Sequence, residues 1–188
     1  MSLEVLSTAA AIGTFVVIAA TAIAAVVQLR HLRAQNQLTG LLTVLARVED
    51  PQFNQWVDGA REMVKTRLPD AAYRRAILDG TYERTNNSWL NLANSYDWVG
   101  CLVKHKLIPE EPFLDTYAGR VQSAWNIVES VVPLVRSRSG PSVWENFEYL
   151  VVRARQWNAA HADGAYPKDV ARLHIGVTWP ELSAKTEP

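Results

Sequence analysis

Asp97 has the best case for chemistry in this sequence. It stands between Tyr96 and Trp98, in a stretch whose apolar residues recur at helical spacing. A charged group in such company needs a partner or a task. As a general acid/base or ligand anchor it calls for a second carboxylate, and Glu148 is the candidate. As a structural group it forms half of an inter-helix ion pair with Arg153 or Arg120, the commoner fate of such acids. The four histidines, His31, His105, His161 and His174, show neither H-E-x-x-H nor E-x-x-H spacing, so no metal site in a bundle core is expected. His105 reads as a basic group at a helix C-terminus, where it favours the dipole. Cys101 reads as a small buried apolar residue. Asn86, Asn87, Asn91 and Asn94 read as caps and inter-helix hydrogen bonds. Phosphate loops, nucleophile elbows and dinucleotide fingerprints are missing from the sequence. No catalytic residue beyond the weak pair Asp97 and Glu148, and no cofactor, is assigned, and the balance leans against an enzyme.

The elements that must position these residues begin with residues 5–27, VLSTAAAIGTFVVIAATAIAAVV, which carry no charge and no proline. At about 1.5 Å per residue the stretch makes a helix of roughly 34 Å, enough for the ~30 Å core of a bilayer. A core helix would show a stronger polar stripe, and a secretory signal a basic start and a shorter apolar run. The expectation is a single transmembrane helix within residues 1–30. Arg30, His31 and Arg33 follow it, which places the short N-terminus outside and the rest on the cytoplasmic side of a cell inner or plasma membrane. Small residues recur along the span at Ala9, Gly13, Ala20 and Ala24, so a homo-oligomer through close helix packing is open.

Past Arg30 the pattern becomes amphipathic. Leu38, Leu41, Leu42, Leu45 and Val48 predict that the helix continues as a stalk over residues 31–50. Packing against its own domain is the plainer reading of that stripe; a self-association seam is the other. Asp50-Pro51 and Asp70 offer caps for two helices, the second stopping near Asp79-Gly80. A long helix is expected over residues 82–105. Another starts at the acidic turn before Phe113 and runs to Arg138, kinked at Pro133. Ser142 and Glu145 have the spacing of a capping box for a last helix carrying Phe147, Leu150, Val151, Ala154 and Trp157. Residues 51–162 thus read as a helical bundle and residues 163–188 as an irregular tail with one turn near Val170 to His174. No segment alternates like a strand, so the fold class is all-α: a transmembrane helix continuing into a stalk, then a cytoplasmic helical bundle.

Lys plus Arg and Asp plus Glu number 19 each, which removes any bulk electrostatic case for nucleic acid. A lone cysteine cannot form an internal disulfide and fits a reducing compartment. Of the seven tryptophans, Trp98, Trp144 and Trp179 fall off the strongest apolar stripes, which makes them the exposed candidates for interaction.

The run NLANSYDWVGCLVKHKLIPEEPFLDTYAGRVQSAW, then LVRSRSG, then WENFEYLVVRA, resembles the bacterial family known as domain of unknown function 4760. The positions that carry the likeness are Asn91, Tyr96, Asp97, Gly100, Leu102, Val103, Lys104, Trp125, Phe147, Glu148 and Leu150. Asp97 stands where the family more often has Glu. The resemblance implies an N-terminal membrane helix with a helical domain, and no activity. The expectation that follows is a single-pass, membrane-anchored interaction or scaffold module. It would localise or regulate an unidentified protein partner at the cytoplasmic face, with the lipid bilayer as its other partner. The alternatives are a small-molecule sensor or enzyme with an inter-helix pocket near Asp97 and Glu148, and a component of a bacterial stress or antiphage system.

Overall fold

The computed structural model describes residues 3–173, which form seven α-helices and no strand. Trp179 and the end of the expected C-terminal turn at His174 lie outside the described residues. Helix α1, Leu3–Val48, is one unbroken element of 46 residues. Its apolar part has a mean hydropathy of 2.4 over an 18-residue window, none of it buried by the rest of the chain. By length and composition α1 can therefore cross a membrane.

The last turns of α1 belong to the body. Val44 and Val48 are fully buried, and Leu41 and Leu45 pack beside them. Leu38 and Leu42, expected on the same stripe, are exposed instead. A helix turns about 100° per residue, so the face defined by Val44 and Val48 continues upward through Gly40 and Gln37 and leaves Leu38 and Leu42 to its sides. Gly40 sits where α1 passes the turn after α4, and an added Cβ would come to 3.1 Å from Ile108 Cγ2.

Helix α2, Pro51–Thr66, starts on Asp50, whose carboxylate accepts from Gln52 N at 2.7 Å with Pro51 in the first turn. Helix α3, Ala71–Asp79, starts on Asp70 in the same way and ends at Gly80 in the left-handed region. Helix α4, Ser88–Lys104, begins six residues later than expected. Asn86 adopts φ 59°, and the buried Asn87 caps the helix by accepting from Leu90 N at 3.1 Å, so the turn chemistry of two asparagines overrides the apolar period.

The expected kinked helix after Phe113 is two helices, α5, Glu110–Val128, and α6, Val132–Ser139. Pro133 lies in the first turn of α6, where its missing N–H costs nothing, so the chain breaks rather than bends. Helix α7, Glu145–Ala160, closes the body. Helix α4 packs chiefly on α7 and α2, α5 packs on α7, and α3 covers α6. The core runs through Phe53, Trp89, Tyr96, Phe113, Trp125, Phe147 and Leu150. Tyr96 stacks on Phe147 at 5.0 Å between centroids, and Trp125 meets the same phenyl ring edge-on at 5.1 Å. Such pairs add roughly 0.5–1.5 kcal/mol beyond their buried area.

Candidate functional site

Asp97 pairs with no arginine and shares no site with Glu148. It caps a different helix. Its Oδ1 accepts from the backbone N–H of Asn146 at 3.0 Å and of Phe147 at 3.1 Å, and Oδ2 accepts from Asn146 Nδ2 at 3.4 Å. These amides open α7, where no helix partner exists for them and the dipole favours negative charge. The expected Ser142–Glu145 box does not form. The N-cap residue is Trp144, at φ 57° and with no side-chain bond to the helix, and Asp97 supplies the acceptor across the interface.

The same face of α4 carries the rest of the joint. Asn94 Oδ1 accepts from the Trp144 indole N–H at 2.9 Å, and Lys104 Nζ lies 3.3 Å from Glu145 Oε1 and 3.2 Å from Asn146 Oδ1. Positions 94, 97, 100 and 104 are spaced by three and four, one stripe of a helix. Gly100 lets the backbones meet: a Cβ there would overlap the Asn146 carbonyl. The signature of acid, then glycine, then basic residue in α4 is thus a docking device for the start of α7. Its carboxylate is engaged by three N–H groups of Asn146 and Phe147, two of them backbone amides.

Glu148 joins Arg136 at 2.7 Å instead, while Arg136 Nε also donates to Val143 O. Of the arginines expected beside Asp97, Arg153 is bound to Glu110 at 2.5 Å and Arg120 lies over the Tyr117 ring at 5.5 Å. The bond to Glu110 holds the Arg153 guanidinium even more firmly protonated than usual. Burial pushes the Tyr96 hydroxyl well above its ordinary range. Tyr117 is raised by burial first and then by its hydrogen bond to Glu49, 2.7 Å long. Both phenols stay neutral at physiological pH. Among the described residues no cluster of three metal-ligating side chains occurs. Of five clefts between 380 and 600 Å³, none is lined by Asp97 or Glu148.

The tryptophans separate. Trp144, expected to be exposed, is 5 % exposed and meets Trp89 edge-on at 6.1 Å. It fell off the apolar stripe because it precedes α7 and obeys no helical period. Trp98 is 42 % exposed. Beside it the Arg47 guanidinium lies 5.8 Å from the Trp98 ring centroid and 5.9 Å from that of Trp56. These three side chains, with Asn91, Asn94 and Ser95, line a cleft of about 380 Å³. No sequence spacing links Arg47 in α1 to Trp98 in α4, so the grouping was not readable in advance. Ala9, Gly13, Ala20 and Ala24 lie on α1, and Cys101 is half-buried in α4.

An all-α body carried on one long apolar helix defines the class of protein. Residues 15–154, most of the chain, match the family described as Domain of unknown function (DUF4760), and the chain belongs to that family. No curated protein and no solved structure matches the chain.

Proposed function

We propose that the protein is a single-pass, membrane-anchored interaction module that holds a protein partner at the cytoplasmic face. The observation that carries the reading is the construction of α1. Its apolar end is left uncovered by the chain, while its other end is built into the core through Val44 and Val48. Such a helix fixes the body to whatever the apolar end enters. The docking face on this reading is Arg47 with Trp56 and Trp98, since Trp and Arg are the residue types that dominate binding energy in protein interfaces. The basic residues Arg30 and Arg33 support the orientation. The small residues Gly13 and Ala20 allow the span to pair with a second copy.

Affinity purification of the full chain from membranes, run beside Trp98→Ala, tests this. A partner retained by the native chain and lost from the variant, with both proteins resisting carbonate extraction, is the expected result. The same companions on both proteins, or none on either, would remove the interaction reading. The sensor or enzyme alternative loses its support from Asp97, which is spent on capping α7, and from Glu148, which is spent on Arg136.

A further inference from the structure

The turn between α4 and α5 comes back against α1 just below its apolar stretch. Gln37 Nε2 donates to Lys106 O at 3.1 Å, and Ile108 is buried beside Gly40. Lys106 is in the left-handed region at φ 57°, and Leu107 N returns to Leu102 O at 2.9 Å. The turn is thus held from both sides, yet Leu107 is turned outward and is 55 % exposed. Between it and α1 lies a cleft of about 470 Å³ whose lining includes Leu29, Leu32, Arg33, His105, Lys106 and Leu107. That lining carries two permanent cations and no carboxylate. The acids of the adjoining cleft are Glu110 and Glu111, and Glu110 is already bound to Arg153.

The cleft has a definite depth. Counted from residue 27 at ~1.5 Å per residue, Leu29 lies roughly 3 Å and Arg33 roughly 9 Å beyond the apolar stretch. A headgroup layer is about 5–8 Å thick on each side of the hydrocarbon. Leu29 then stands at the acyl boundary and Leu32 near the outer edge of the headgroup layer, with Arg33 just beyond it. The long side chains of Arg33 and Lys106, which line the cleft together, reach back toward the phosphates. Arg30 and Arg33, seven and four residues before Gln37, share its face of α1, the face that looks onto the turn.

We infer that this cleft is a binding site for one anionic phospholipid, its phosphate held by Arg33 and Lys106 and its acyl chains lying along Leu29, Leu32 and Leu107. The site rests on the membrane-anchored reading of α1. It gives the exposed leucines an apolar neighbour, and it fastens the body to the bilayer at a second point besides the span. Basic pockets at this level select acidic headgroups by charge, each basic side chain contributing about a fivefold preference near an anionic surface.

The test uses the full chain reconstituted in vesicles of phosphatidylcholine doped with spin-labelled phosphatidylglycerol or spin-labelled phosphatidylcholine. The readout is the relative association constant of the two lipids with the protein. The native chain is expected to prefer phosphatidylglycerol, and Arg33→Gln with Lys106→Gln to lose roughly twentyfive-fold of that preference, about fivefold per charge. Lys65→Gln, which removes one charge outside the cleft, is expected to keep it. An embedded native chain with no preference, or a preference unchanged by the double substitution or lost equally in Lys65→Gln, overturns the site and leaves the anchor standing. Extraction of the native chain by carbonate overturns both.

Discussion

Cutting the Asp97 side chain to alanine is expected to loosen the start of α7 rather than to abolish a reaction. The carboxylate accepts two backbone N–H groups, from Asn146 and Phe147, in a half-buried position. A hydrogen bond to a charged acceptor contributes about 1.5–3 kcal/mol, and a lost N-cap about 0.5–2 kcal/mol. Because the two bonds share one oxygen and the site is partly wet, the expected cost of Asp97→Ala is about 2–4 kcal/mol. Asp97→Asn keeps an acceptor for the two backbone amides and loses the charge and the weak 3.4 Å bond from Asn146 Nδ2, so it should cost about 1 kcal/mol. Gly100→Ala acts on the same joint from the other side. The new methyl meets the Asn146 carbonyl, and overpacking of this kind costs about 1–3 kcal/mol. Chemical unfolding of the full chain in detergent, followed by tryptophan emission, gives the three values. Amide exchange at residues 146 and 147 locates the effect: protection there should fall in Asp97→Ala while the middle of α4 keeps its own. Unfolding midpoints that agree within error for the native chain and Asp97→Ala, or equal losses for Ala and Asn, would refute the capping role.

Other outcomes follow from the same geometry. Trp125→Ala and Phe147→Ala should each cost about 3–5 kcal/mol in the same unfolding assay, since both rings are buried in one edge-on pair. A chain lacking residues 1–29 should stay folded and leave the membrane. One beginning at Asp50 should not fold stably, because Val44 and Val48 are core residues worth about 1.5–3 kcal/mol each; circular dichroism of the two fragments decides this. Tyr96 and Tyr117 have raised folded-state values, so the stability that they lend is complete below the ordinary phenol value of 10.0 and is lost as pH rises past it. Absorbance at 295 nm should show these two phenols resisting ionisation until the body unfolds. Gly13→Leu with Ala20→Leu should weaken energy transfer between tagged copies in membranes if the span pairs through its small residues, and an unchanged signal would make it a plain tether.

How far the sequence could be read depended on the range of each interaction. Residues 5–27 and the stripes of α2, α5 and α7 obey local periods, and a period is visible without knowing the partner. The caps at Asp50 and Asp70 are local too, bonding two residues ahead. Asp97 is the opposite case. Its partners are backbone amides 49 and 50 residues away, and nothing in a side-chain pattern marks an amide as short of an acceptor. The local competitor, the Ser142–Glu145 spacing, looked like a cap and lost to the distant one. Trp144 was misplaced for a related reason, and the grouping of Arg47 with Trp56 and Trp98 joins three helices that only the fold brings together.

Helix α1 has no joint between its apolar stretch and Val48, and this sets a mechanical property of the whole chain. Val44 and Val48 lock its rotational phase in the body, so the azimuth of every residue along it is dictated by the core. At 46 residues and ~1.5 Å each it is a rod of roughly 69 Å. A twist or tilt imposed at one end arrives at the other undamped by any flexible linker. Two copies meeting along a chosen stripe would therefore hold their Trp98 faces at a fixed mutual angle, and a change of stripe would swing those faces through an arc rather than let them drift.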